Sequence, residues 1–168
     1  VRTGAMYHDI GKMMNPAFFT ENQSGVNPHN QLSYKQSAQI VINHVTDGMK
    51  LADKYNLPKV IKDFICTHHG RGLTKYFYIS YQNEHPGEEI DKEAFRYPGP
   101  NPFTKEQAIL TMADSVEAAS RSLPEYTEKA YLIWSTRLSM HRCRKVISKN
   151  APSRSRILLL LKQYSRKN

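Results

Sequence analysis

A histidine and an aspartate stand side by side, His8-Asp9, directly behind the small, apolar run Gly4-Ala5-Met6. No other feature constrains the chain as strongly. Small apolar residues of this kind pack inside helix bundles, and an imidazole and a carboxylate are costly in such surroundings unless something pairs with them. A divalent metal ion is the most economical partner, because a carboxylate can bridge two ions while the histidine binds one. Taken singly, such a pair is more often a satisfied core histidine beside a local cap, since short motifs match by chance. The metal reading therefore requires further ligands elsewhere in the chain.

The chain supplies them. His44 lies in 33–55, where Ala38, Ile40, Val41, His44, Val45, Gly48 and Leu51 fall near one stripe of a 3.6-residue period. His68 and His69 end a helical run opened by Asn56-Leu57-Pro58, with Pro58 suited to a first turn and Gly70 to a terminus. Neighbouring residues on a helix point about 100° apart, so both histidines reach one site only near such an end. Asp114 sits among Ile109, Leu110, Met112, Ala113 and Val116 in 104–123, a poor place for a core carboxylate and a good one for a hard ligand. Each alone is more often structural. Together with His8 and Asp9 they place metal-binding groups on four predicted helices, and nitrogen-rich ligation favours Mn or Fe over Mg.

The order His8-Asp9, His44, His68-His69, Asp114 resembles the HD-domain metal-dependent phosphohydrolases. Longer motifs narrow the resemblance: Tyr-His-Asp-Ile-Gly-Lys-Met (7–13), Phe-Phe-Thr-Glu-Asn-Gln (18–23), Asn-Pro-His (27–29), His-Val-Thr-Asp-Gly (44–48) and Thr-His-His-Gly (67–70). Further on come Lys-Tyr-Phe-Tyr (75–78), Phe-Arg-Tyr-Pro-Gly-Pro (95–100) and Ala-Asp-Ser-Val-Glu-Ala-Ala-Ser-Arg-Ser (113–122). These are similar to the cytoplasmic HD domain of the seven-transmembrane family of cyclic-di-AMP phosphodiesterases. The related cyclic-di-GMP enzymes fit less well, because Gly-Arg-Gly-Leu follows His68-His69 and no Gly-Tyr-Pro is present there.

The resemblance implies an all-α helical bundle around two divalent ions. It implies that Asp9 bridges them, that His8 and Asp114 serve one, and that His44, His68 and His69 serve the other. Metal ions lower the pKa of bound water toward neutrality and hold the scissile phosphate, so the implied reaction is hydrolysis of cyclic-di-AMP to linear pApA. Lys12, about one helical turn past His8, is placed to neutralise a phosphate oxygen; the alternative is a solvated surface lysine. The family's remaining ligand is a histidine on a helix well upstream, and the chain opens at Val1. The expectation is thus a fragment short of one ligand, of reduced activity, whose sensor and transmembrane segments lie upstream. No apolar run approaches the ~18 residues of a span, so the fragment itself is expected to be soluble and cytoplasmic. Oligomeric state is left open.

Charge divides the chain. Residues 129–168 hold 11 Lys and Arg and no acid, whereas 1–128 hold 13 Lys and Arg and all 15 Asp and Glu. The recognisable domain, 1–128, is thus slightly acidic, and no nucleic-acid partner is expected for it. Residues 129–168 are expected to be a frameshifted translation. Back-translated from the last base of the Lys129 codon and read one base earlier, they admit an open frame containing Gly-Tyr-Phe and Cys-Pro-Ile-Thr-Phe-Lys-Asp segments of the family type. The competing reading is a native basic tail for nucleic acid or a membrane surface, with affinity falling steeply with salt. For 1–128, hydrolysis of a different nucleotide and nucleotide binding without turnover stay open beside the cyclic-di-AMP reading. Cys66 and Cys143 make no disulfide framework.

Local signals complete the map. The first helix is expected to run to about Met13, carrying His8 and Asp9, and Asn15-Pro16 to break it. His29, in the polar loop 16–32, reads as a surface or supporting residue. Ser33 is a cap, Phe77 a core residue, and 83–102 an ordered loop or lid. Thr104 with Gln107 forms a capping box, Glu117 pairs with Arg121, and Pro124 stops that helix.

Overall fold

The computed structural model describes residues 1–121 and Thr127, apart from Ser24. The expected tail, 129–168, and the stop at Pro124 lie outside the described residues. The chain divides into two compact units, Arg2–Pro100 and a second formed by Val1 with the chain from Asn101.

Among the described residues the first unit holds four α-helices: α1 (Arg2–Tyr7), α2 (Tyr34–Lys54), α3 (Lys59–Thr67) and α4 (Lys75–Glu84). Short 3₁₀ turns fill the connections, and Leu73 and Arg96 form one isolated antiparallel bridge. The body is all-α, as expected. Helix α2 is the longest because its start is doubly fixed: Ser33 accepts from the Gln36 amide and Gln36 answers to the Ser33 amide. Its buried face is Ser37, Ala38, Ile42, His44, Val45, Gly48 and Ala52. Ile40, Val41 and Leu51, placed on the stripe by periodicity, are only half-buried.

Two glycine contacts set the spacing. A Cβ on Gly4 would lie 2.5 Å from the Phe64 ring, so α1 rests directly on α3. A Cβ on Gly11 would run into the His44 carbonyl oxygen and stand 2.5 Å from the Gly48 amide nitrogen. The 3₁₀ turn Ile10–Met14 thus lies backbone against backbone on α2. Ala52, Ile61 and Ile65 close the core beneath it, with Ile10, Met49 and Leu57 at the edge; burying each of the two isoleucine side chains contributes ~1.5–3 kcal/mol.

Three local expectations change. Helix α1 stops at Tyr7, and His8-Asp9 occupies the turn before the 3₁₀ segment instead of a helix continuing to Met13. The reason is Gly11: its approach to α2 redirects the chain nearly two turns early. Phe77 is half-buried, and no residue of α4 is buried; its ring packs against His29 and Tyr76. The stretch after α4 is ordered and anchored. Thr74 donates twice to the Phe95 carbonyl, Tyr97 donates to the Gly72 carbonyl, and Gln39 reaches the Ala94 carbonyl.

In the second unit, α5 (Lys105–Ser120) opens with the expected capping box between Thr104 and Gln107. The expected Glu117–Arg121 pair closes at 2.8 Å. Asp114 is half-buried on this helix.

Candidate metal centre

His44 comes from the middle of α2, and His68 from the residue capping the C-terminus of α3. His69 follows just before Gly70, whose φ of 55° lies in the left-handed region. That turn lets two adjacent histidines face one place, as the chain's spacing predicts. Donor atoms of Asp9, His44, His68 and His69 all lie within 4.8 Å of one another. His44 and His68 are 2% and 0% exposed.

The tautomers are set by the backbone. Nδ1 of His8 donates to the Ala5 carbonyl at 2.8 Å, that of His44 to the Val41 carbonyl at 2.5 Å, and that of His68 to the Ile65 carbonyl at 2.7 Å. A carbonyl only accepts, so each Nδ1 carries a proton, and in the neutral tautomer Nε2 is left to present its lone pair inward. The Nε2 atoms of His44 and His68 are 3.1 Å apart and lie 3.3 and 3.5 Å from Asp9 Oδ1. That oxygen is buried without a hydrogen bond. One added proton satisfies one of these approaches, whereas a cation among them satisfies all. Burial also holds the His68 pKa down against the pull of Asp9, so a doubly protonated ring is disfavoured there. The donor set, carboxylate plus imidazoles with preset lone pairs, fits a divalent transition metal.

Burial alone would raise the Asp9 pKa, but protons shared from His44, His68 and His8 outweigh it and hold the carboxyl far below its usual range; a cation in the place of those protons would do the same. Asp9 is therefore a carboxylate at neutral pH. Its Oδ2 faces His8 Nε2 at 3.3 Å and the Lys12 ammonium at 2.7 Å. Burial would lower the Lys12 pKa, yet Asp9 and Glu21 raise it, so Lys12 stays a cation.

Of the expected site residues, His8, Asp9, Lys12, His44, His68 and His69 gather in the first unit; Asp114 belongs to the second. His29 stands apart: its Nε2 donates to the Phe18 carbonyl at 2.9 Å, and its ring packs against Phe18 and Phe77. Two residues escaped sequence reasoning. Tyr97 stacks on His69, centroids 4.2 Å apart and planes 26° apart. Glu21 binds the Lys12 ammonium at 2.6 Å. Both lie in the longer motifs, but no periodicity or spacing connects them to the histidines.

Comparison with known proteins follows the same lines. A model of the family described as "HD domain" matches residues 1–119. The chain is 48% identical over 133 residues to the cyclic-di-AMP phosphodiesterase PgpH of Bacillus subtilis (strain 168), covering 76% of this chain and 18% of that protein. It is 44% identical over 128 residues to the protein of the same name from Listeria monocytogenes serotype 1/2a (strain 10403S), with the same coverages. An uncharacterized protein of Synechocystis sp. (strain ATCC 27184 / PCC 6803 / Kazusa) is 43% identical over 149 residues, 86% of this chain and 18% of that one. The chain thus spans under a fifth of the length of these curated relatives. Among solved structures, the L. monocytogenes PgpH HD domain matches with a TM-score of 0.78 at 34% identity, over 99% of this chain and 81% of that one. The same domain in complex with cyclic-di-AMP matches with a TM-score of 0.80 at 34% identity, over 99% and 80%.

Proposed function

Because the chain belongs to the HD domain family, we propose that it is the catalytic domain of a metal-dependent phosphodiesterase that hydrolyses cyclic-di-AMP to pApA. The observation carrying this reading is the buried Asp9 Oδ1 facing His44 and His68 without a hydrogen bond, in a chain 48% identical to a protein named for that activity. Two divalent ions, Mn or Fe, are the proposed cofactors. His44, His68 and His69 would hold one, His8 would hold the other, and Asp9 would serve both. Asp114 is assigned to the His8 ion from the family resemblance alone. When bound, the ions supply Lewis acidity toward the phosphate and a water acidic enough to attack at neutral pH.

The chain's own residues do the rest. The Nδ1 bonds to carbonyls hold three imidazoles in register, so the donor set needs little reorganisation. Asp9 balances positive charge at the centre. Lys12 offers its ammonium to a non-bridging phosphate oxygen. By the same resemblance, the domain belongs on the cytoplasmic side of a plasma-membrane protein with sensor segments upstream. No described helix is long and apolar enough to cross a membrane.

The test is hydrolysis of cyclic-di-AMP and cyclic-di-GMP by the intact cytoplasmic domain in Mn²⁺, with an Asp9→Asn variant beside it. Release of pApA that depends on metal and on Asp9 is expected; comparable hydrolysis of cyclic-di-GMP would defeat the substrate assignment. For residues 129–168 we propose a frameshifted translation, supported by the loss of every acid after Glu128 and by matches to the two PgpH proteins that cover 76% of the chain; the match to the Synechocystis protein covers 86% and is the observation against it. The gene's nucleotide sequence decides it: an uninterrupted frame through residue 168, with no family-like continuation in another, would sink the idea.

A further inference from the structure

Lys12 has more partners than a solvated lysine needs. Its ammonium lies 2.7 Å from Asp9 Oδ2 and 2.6 Å from Glu21 Oε1. It also lies 5.2 Å from the centroid of the Phe19 ring, close enough for a cation–π contact. Phe19 is buried and meets His44 edge-on at 5.7 Å, so this cage leans on the floor of the metal centre. The Lys12, Asp9 and Glu21 side chains are 22%, 28% and 32% exposed. Charges this far withdrawn from water feel one another more than surface pairs do.

The arrangement poses an electrostatic conflict. A metal cation on Asp9 and an ammonium on the same carboxylate repel each other. Were Asp9 the only anion in reach, Lys12 would either compete with the metal or swing out to solvent. Glu21 removes that choice, since it offers a second carboxylate while the Phe19 ring lies beneath the ammonium.

We propose that Glu21 is a positioning residue, which retains Lys12 at the lip of the site when a cation takes Asp9 and so leaves the ammonium facing an anionic phosphodiester. The inference rests on the metal reading above and adds a role for a residue outside the donor set. With Glu21 present, Lys12 yields Oδ2 and keeps one partner. With Glu21 neutralised, Lys12 has Asp9 alone and opposes the metal.

Mn²⁺ binding to the purified chain, read by electron paramagnetic resonance of the free ion, tests this in four proteins: wild type, Glu21→Gln, Lys12→Met and the double variant. Glu21→Gln is expected to weaken Mn²⁺ binding about tenfold, the lower end for removing a supporting partner. In the Lys12→Met background the same change is expected to cost less than about twofold, because no ammonium remains to compete. Glu21→Asp is expected to restore most of the affinity. Far-ultraviolet circular dichroism checks that each variant is folded; if Lys12→Met is not, Lys12→Gln replaces it. Equal weakening in both backgrounds would mean that Glu21 acts only as a distant charge, and would overturn the inference. Wild-type affinity in Glu21→Gln would overturn it too. A wild type that binds no Mn²⁺ would instead remove the metal reading itself, and this inference with it.

Discussion

The floor and the lip of the metal centre are held by different forces. On the floor, His44 and His68 are buried, and each is oriented by a hydrogen bond to a carbonyl three residues earlier on its own chain segment. On the lip, Lys12 and Glu21 are oriented by ion pairs with each other and with Asp9. Floor geometry follows from backbone packing and survives changes of salt. Lip geometry follows from charge and is screened by it. One site therefore combines a rigid donor set with an adjustable rim, and damage to each should read out differently.

The largest expected effect is at the seam beneath the floor. Gly11→Ala drives a methyl group into the His44 carbonyl, and the 3₁₀ turn carrying Asp9 cannot withdraw without opening the site. A loss of about 3 kcal/mol or more is expected, the upper range for overpacking, measured by urea unfolding. A variant as stable as wild type would show that the seam yields and the floor is not rigid.

Metal comes next. Saturation at about a hundredfold over Kd should raise unfolding free energy by ~2.7 kcal/mol. His68→Ala should abolish that gain while leaving a folded protein, as differential scanning fluorimetry with and without Mn²⁺ would reveal. A gain that persists without His68 would place the metal elsewhere.

Tyr97 lies between the two regimes, since it is buried yet contributed by the anchored loop. Tyr97→Ala releases one face of His69 and should weaken Mn²⁺ binding about tenfold. Tyr97→Phe keeps the stacked ring and should remain within about twofold, given that aromatic stacking is the contact replaced. Calorimetric titration of both variants separates stacking from simple loss of volume.

The smallest effect is expected at an exposed ion-pair cluster on the surface. Glu93 pairs with both Arg71 and Arg96 at 2.7 Å, yet its side chain is 59% exposed. Glu93→Ala should therefore cost no more than about 1 kcal/mol, with little change in metal affinity. A larger loss in the thermal midpoint would mean that an exposed ion-pair cluster is held as rigidly as the floor.

How much of this was legible in the sequence depends on distance along the chain. Ser33 as a cap, the Thr104–Gln107 box and the Glu117–Arg121 pair were readable because each interaction closes within about one helical turn. The candidate donor residues were readable for a different reason: each alone is more often structural, but several such positions on apolar stripes together point to ligation. Adjacent His68 and His69 further required a helix end, which Gly70 provides. The break after Tyr7 was not readable, because residues 1–13 taken alone are compatible with a continuous helix.

What the sequence determined by itself, then, was chemistry and local geometry: an all-α chain, a set of candidate ligands, and the family to which the chain belongs. Tertiary structure alone decided where Lys12 points, which ring covers His69, and how Asp9 divides its two oxygens between buried histidines and a charged lip. Those outcomes turn on Gly11 lying against Gly48, on Tyr97 reaching back to Gly72, and on Glu21 returning to Lys12. None is encoded by a periodicity, because each depends on how segments remote in sequence pack at near-contact distances. A shift of one methyl group at such a contact changes which atoms meet.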